Sequence, residues 1–322
     1  MVMALASRFS DSQTPMSEAD FILWQRLIEE KTGLWIPAHR KSFLLTQISS
    51  RVRAKGLDSY RSYYERLLGY MMDRAEWATL IDLLTVHETR FFRDNNAMDL
   101  VGEFTKKHIE QLCSRANDAR SEVTRDILSK RRSSCVMQYW SVGCATGEEV
   151  YSLAMLLEDL TENLDKNETL YFGVRGTDIS FPSLTDAREG KYSASKVRHI
   201  PDSLKNKYLI SSENDNFQIS DRIKERVCFV QENLGEMDTI PFQTFDVIYC
   251  QNVLIYFKPE RKKLILDQLV DRLNRDGLLV LAPGEATNWQ HAEMSRYPHS
   301  QCLAFIKNSG QSNTLRRNYG QK

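Results

Sequence analysis

The stretch Tyr139-Trp-Ser-Val-Gly-Cys-Ala-Thr-Gly-Glu-Glu-Val-Tyr-Ser-Leu-Ala-Met155 runs from an apolar strand, through two glycines, into an amphipathic helix that opens with two acids. A strand, a glycine turn and a helix in that order make a nucleotide-type binding turn. A phosphate site presents backbone N–H groups and usually a lysine to the anion. Here Glu148 and Glu149 occupy the positive end of the helix macrodipole and repel a phosphate. The turn suits a cofactor without phosphate that carries positive charge. S-adenosylmethionine, with its adenosine, sulfonium and amino-acid zwitterion, has that chemistry.

Outward from this turn, the pattern from 137 alternates strand and helix. Strands are expected at 137–142, 170–176, 227–232, 245–251, 278–282 and 302–307, and helices at 148–160, 182–189 and 259–274. That is an α/β fold, a doubly wound, largely parallel sheet spanning 137–307. Residues 191–226 break the alternation with weak strand signals near 216–219, and read as a small inserted β subdomain. Upstream, 17–95 shows no period-2 segment and reads as a small all-helical domain. Ser17 with Asp20 caps a helix striped by Phe21, Trp24, Leu27 and Ile28 and ended by Gly33. Further helices are expected at 38–55, 59–71 and 73–84. Residues 96–136 read as a connecting helix (96–113) followed by a polar linker. Residues 1–16 and 308–322 are expected to be disordered tails.

The chain has 322 residues, with 43 Lys+Arg against 43 Asp+Glu. No global field draws it to nucleic acid or membrane, so any electrostatic targeting is local. Six scattered cysteines without a C-x-x-C pair read as reduced thiols of a cytoplasmic protein. The histidines show no metal-ligand spacing, and no metal is expected. No signal peptide and no membrane span are read from the sequence.

Ligands of open α/β sheets bind at the carboxyl ends of the strands. Asp178, after the second strand, can take both ribose hydroxyls; the plainer reading is a helix N-cap. Asn233, Gln251 and Asn252 are amides at the same edge, which can read a ligand or stabilise turns. His87, Thr89 and Arg93 lie in a segment closing the helical domain, where Phe91 and Phe92 form an aromatic plug and Thr89 and Arg93 reach a boundary cleft. Tyr256 is a core or rim aromatic, or a hydroxyl in that cleft. In helix 38–55, Arg40 and Arg51 lie within roughly 20° on a helical wheel. With Lys41, Arg53 and Lys55 they form a solvated basic face or a docking surface for an acidic helical partner.

Three motifs together resemble the CheR chemotaxis receptor methyltransferases over residues 17–307. They are Thr85-Val-His-Glu-Thr-Arg-Phe-Phe-Arg-Asp94, Trp140-Ser-Val-Gly-Cys-Ala-Thr-Gly-Glu-Glu-Val-Tyr-Ser-Leu-Ala154 and Phe245-Asp-Val-Ile-Tyr-Cys-Gln-Asn-Val-Leu-Ile-Tyr-Phe257. The resemblance implies S-adenosylmethionine-dependent methyl-esterification of receptor glutamates in chemosensory adaptation, with S-adenosylhomocysteine as product. It also implies cofactor contacts at Thr89, Arg93, Glu149, Asp178, Asn233, Leu234, Cys250 and Gln251, and places Arg93 and Tyr256 near the transferred methyl. The partner would be the cytoplasmic methylation helices of a transmembrane chemoreceptor, met by the basic helix 38–55. There are departures. His87 stands where the family usually has Asn beside the cofactor, and histidine can still donate a hydrogen bond there. Val150 replaces a proline, and Pro283-Gly-Glu-Ala286 replaces Gly-His-Ser-Glu. The inserted segment is a few residues shorter than in members that grip a receptor's C-terminal pentapeptide, which argues against tethering of that kind. A small-molecule methyltransferase and a non-catalytic cofactor-binding adaptor are the alternatives.

Overall fold

The computed structural model of the chain describes residues 16–69, 74–118, 133–164, 168–212 and 215–309. Expectations for residues 1–15, for 119–132 of the linker and for 310–322 lie outside the described residues. Among the described residues, no helix is long and apolar enough to cross a membrane.

The helical part contains α1 (Glu18–Thr32), α2 (Lys41–Ala54), α3 (Tyr60–Leu68) and α4 (Arg74–Leu84). Ser17 Oγ accepts the Asp20 N–H at 3.0 Å, and Gly33 ends α1 at φ +76°, as the sequence predicts. The expected stripe is buried, and Phe21, Trp24, Leu27 and Ile28 pack with Leu44, Ile48, Tyr63 and Leu80 in a core of their own.

The basic face expected on helix 38–55 is corrected in two ways. Arg40 belongs to a 3₁₀ turn, Ala38–Arg40, that leads into α2 rather than to the helix itself. Arg51 is engaged inside the helical part. Its Nε and Nη2 donate to both oxygens of Glu76 on α4 at 2.8 and 2.7 Å. Lys55 Nζ at 2.8 Å and the Tyr63 hydroxyl at 2.7 Å complete the cage. The Glu76 side chain is only 1% exposed, and a buried carboxylate without such partners would cost several kcal/mol. Lys41 is likewise paired, with Glu18 at 2.8 Å.

The connecting helix, α5 (Asn95–Asp118), runs past 113 because nothing from Ser114 to Asp118 breaks a helix. Strands follow as β1 (Ser133–Val142), β2 (Glu168–Asp178), β3 (Lys191–Ser193), β4 (Leu209–Ser211), β5 (Asn216–Ile219), β6 (Val227–Gln231), β7 (Phe245–Cys250), β8 (Leu273–Leu281), β9 (Met294–Arg296) and β10 (Leu303–Lys307). Between them lie α6 (Glu148–Glu162), α7 (Phe181–Glu189), α8 (Ala194–Val197), α9 (Asp202–Tyr208), α10 (Asp221–Lys224) and α11 (Pro259–Asp271). The main sheet has the order β6-β2-β1-β7-β8-β10-β9. Pairing is parallel from β6 to β8 and antiparallel at β10 and β9. Several details differ from expectation: β1 begins at Ser133, inside the stretch read as linker, β8 begins at Leu273 rather than 278, and the insert carries α8, α9 and α10 beside its strands. The helix expected to reach 274 ends at Asp271, because Leu273 already pairs with Phe245 and Asn274 donates to Asp246 at 2.8 Å. The short β9 carries too few residues to show a period.

β1 has β2 on one side and β7 on the other, so the winding reverses there and a crevice opens at the carboxyl ends of β1 and β7. The insert forms a separate antiparallel sheet, β3-β5-β4. Arg222 and Arg226 strap it to Glu158 on α6 at 2.7 and 3.2 Å.

Candidate functional site

The floor of the crevice is the turn 143–147. Gly143 sits at φ +69°, and a Cβ there would fall 2.4 Å from Val253 Cγ2. Gly147, at φ +91°, caps α6, and its Cβ would fall 2.9 Å from Ala187 Cβ. Both positions demand glycine for conformation and for space. The turn is stitched to the end of β2: Cys144 N donates to Thr177 O at 2.9 Å, and Ala145 N to Asp178 Oδ2 at 2.8 Å. Ser180 N holds the other Asp178 oxygen at 2.8 Å. The N-cap of α7 is Ser180, not Asp178. Asp178 lines the crevice, and each of its oxygens still has an acceptor site for a hydroxyl. Burial raises its pKa, so a donor that prefers the anion would be bound with gain.

The two acids that open α6 diverge, because successive helical residues point about 100° apart. Glu148 is fully buried and accepts from Lys196 Nζ of the insert at 2.6 Å and from Thr146 Oγ1 at 2.7 Å. Glu149 lines the crevice, where Ser141 Oγ donates to it at 2.6 Å. Burial pushes its pKa up to about 8, against the lowering effects of Ser141 and the Arg93 charge.

The roof comes from the helical part and the segment after it. Two adjoining cavities share Val86, Gly143, Ala145, Asn252 and Tyr256. One is lined by Trp35, His87, Asp178, Asn233 and Leu234, the other by Thr89, Arg93, Glu149 and Gln251. Trp35 N donates to Tyr256 O at 2.8 Å, and Lys258 pairs with Glu29 at 2.7 Å while lying 3.8 Å over the Trp35 ring. The two parts of the chain are therefore held across the crevice. The aromatic pair expected to plug the domain boundary belongs instead to the core of the sheet domain, where Phe91 is fully buried, edge-on to Tyr192 at 4.8 Å.

This floor fits an adenosine cofactor bearing cations. Asp178 could accept from hydroxyls and Glu149 could face an ammonium or sulfonium, on a turn without a lysine. The family model described as the CheR methyltransferase SAM-binding domain matches residues 87–302, and that of the CheR methyltransferase all-alpha domain matches 19–85. The chain belongs to the CheR methyltransferase family. It is 28% identical over 261 residues to a chemotaxis protein methyltransferase of Borreliella burgdorferi, covering 81% of this chain and 85% of that one. It is 28% identical over 272 residues to chemotaxis protein methyltransferase 2 of Vibrio cholerae, covering 84% and 86%. With that of Escherichia coli K12 it shares 26% over 282 residues, covering 86% and 87%. It is an S-adenosylmethionine-dependent methyltransferase of chemotaxis.

The crevice brings together most of the residues that the CheR resemblance singles out, though several have duties of their own. The ring nitrogens of His87 clasp the two parts of the chain. Nε2 lies 2.9 Å from Asp82 O and 3.1 Å from Asp82 Oδ1, and Nδ1 lies 2.9 Å from Ser183 Oγ. Asn233 donates to Lys31 O at 3.0 Å and accepts from Gly235 N at 2.8 Å, capping a 3₁₀ turn. Gln251 accepts from the Tyr249 hydroxyl at 3.0 Å and donates to Asp94 at 3.2 Å. Arg93 Nη1 donates to Glu88 O at 2.9 Å. The Cys250 side chain stands apart, fully buried in the apolar core beneath the sheet edge.

Two residues, one lining the crevice and one supporting its rim, had no role in the sequence reading beyond a helix face or a motif departure. Arg40 lines the roof. Glu285, in the altered Pro283-Gly-Glu-Ala286, is fully buried and accepts from Leu254 N at 2.9 Å and Ala282 N at 3.0 Å. It fixes the loop that carries Asn252 and Tyr256. The available signal was a carboxylate four residues past the end of an apolar strand, where an acid needs partners.

Proposed function

We propose that this methyltransferase acts in the cytoplasm on glutamate side chains of a chemoreceptor, forming methyl esters. The observation that carries the reading is the group at one end of the cleft: Arg93, Tyr256 and Glu149 line it together, beside the exposed apolar side chains Val86 and Ile255. When bound, S-adenosylmethionine supplies an electrophilic methyl that a carboxylate oxygen takes while the carbon–sulfur electron pair stays on sulfur. A glutamate has a pKa of about 4.3 and is ionised at neutral pH, so no general base is required. The residues' work is alignment and exclusion of water. Glu149, Asp178 and Thr89 hold the cofactor, Arg93 orients charge between Glu149 and the acceptor, and Tyr256 donates a hydrogen bond nearby. An open rim with exposed apolar side chains suits a protein acceptor better than a small molecule. Of the basic residues in 38–55, Arg40 and Arg53 remain for an acidic partner.

The test is transfer of labelled methyl to receptor-containing membranes, followed by mild base. Base-labile label is expected, and base-stable label would exclude a carboxyl ester. Arg93→Ala should remain folded and lose on the order of 100-fold in kcat/KM. Wild-type turnover in that variant would remove Arg93 from the site.

A further inference from the structure

We propose that Arg40 binds the carboxylate of the acceptor side chain, as a second guanidinium supplied to the cleft by the helical part. The proposal rests on the reading of a glutamate acceptor and names the residue that would receive it. Arg40 ends the 3₁₀ turn before α2 and lines the cleft together with Asn252, Val253 and Tyr256. Its guanidinium rests on the Phe43 ring at 4.4 Å and, among the described residues, makes no ion pair. Lys41 is paired with Glu18, Arg51 and Lys55 with Glu76, and Lys258 with Glu29. The segment that carries Arg40 is registered on the loop of Tyr256 through the bond from Trp35 N to Tyr256 O. Burial raises the Tyr256 pKa, and the charges of Arg40 and Arg93 both pull it down, so the hydroxyl lies in the field of two guanidinium groups.

The two arginines are not equivalent. Arg93 is tied to Glu88 O and shares a cavity with Glu149, an acid on the cofactor's side. Arg40 lines the adjoining cavity with Tyr256, Asp178 and Glu232 and, among the described residues, makes no ion pair with either acid. A carboxylate entering a cleft loses hydration, and it does so only where a cation or several donors replace the water. Among the described residues Arg40 is a cation of the cleft without an ion pair, and unlike Arg93 it is stacked on a ring rather than tied to a backbone carbonyl. Its planar fork can hold one carboxylate edge and leave the remaining lone pairs on the oxygens free to react.

The experiment has two arms. In the first, the intact chain with S-adenosylhomocysteine is treated with phenylglyoxal, and labelling of Arg40 is followed by peptide mass spectrometry. Glutarate, which has the acceptor's carboxylate chemistry, should slow labelling severalfold, and glutaramide should not. Labelling that glutarate leaves unchanged, or that glutaramide slows equally, overturns the proposal. In the second arm, Arg40→Ala should raise KM for receptor membranes about tenfold with little change in kcat, and Arg40→Lys should fall between it and wild type. Binding of S-adenosylhomocysteine, measured by calorimetry, should be unchanged in both variants. An equal loss of S-adenosylhomocysteine affinity would make Arg40 a cofactor residue and defeat the proposal. If wild type transfers no base-labile methyl while glutarate still protects Arg40, the glutamate reading fails and the carboxylate site stands.

Discussion

Glu76 in the helical part and Glu149 in the cleft are the same chemical group, both withdrawn from bulk water, with opposite outcomes. Burial alone would raise Glu76, but hydrogen bonds from Arg51, Lys55 and Tyr63 outweigh it and bring its pKa down to about 2. Glu149 has the Ser141 hydroxyl and a more distant Arg93, and burial carries it up to about 8. One acid is saturated by partners and holds helices together. The other is left short of donors, facing a cavity, in the condition expected of a group that waits for a ligand. Burial does not mark a functional carboxylate; the shortage of compensating charge does.

The largest effect should come from emptying the saturated cage. Arg51→Ala should lower unfolding free energy by about 3 kcal/mol, because it strands a buried charge. Urea unfolding checks this, and S-adenosylhomocysteine affinity should be unchanged where the variant is folded. A wild-type midpoint would mean that Glu76 is not held as described. The pH signs of the two acids also oppose each other. Glu76 is depressed, so its contribution is present above the ordinary carboxyl value of 4.5 and is lost as pH falls toward 2. Glu149 is raised, so its contribution in the ligand-free protein is full below 4.5 and is lost as pH rises through about 8.

A smaller effect follows from the same shift in Glu149. If the cationic cofactor prefers the ionised acid, its affinity should weaken about tenfold per pH unit below 8. Glu149→Gln should bind weakly with a flat profile, and calorimetry in buffers of different ionisation heat should show proton release only in wild type. A pH-dependent Gln variant would break the contrast. Smallest should be Glu285→Gln. This third buried acid, also raised by burial, is compensated by backbone N–H groups, and losing one acceptor should cost about 1 kcal/mol in thermal unfolding. It should also loosen cofactor binding slightly through the Asn252–Tyr256 loop.

Much of this was legible in the chain itself. The strand-to-helix alternation after 137, the insert at 191–226 and the cap at Ser17 are local signals carried by period and turn chemistry. The glycine turn is local too, since positive φ at Gly143 and Gly147 is a demand on those residues. The duties of side chains were less legible. Asn233 and Gln251 were rightly placed at the strand ends, but their hydrogen bonds run to Lys31 and Asp94, 202 and 157 residues away. The histidine at 87 reads as a change at a cofactor position, yet Ser183, 96 residues on, occupies one of its nitrogens.

The sequence by itself determined the order of elements, the glycine turn hostile to phosphate and the membership of a methyltransferase family. Those rest on patterns within a few turns of helix or strand. Only the tertiary structure decided which of two adjacent acids faces the cleft and which pairs with Lys196, and which cations of 38–55 are consumed inside the helical part. It also set Arg40 apart from Arg51. The reason is physical: a charge's role depends on the partners that replace its water, and folding brings those partners from distant parts of the chain.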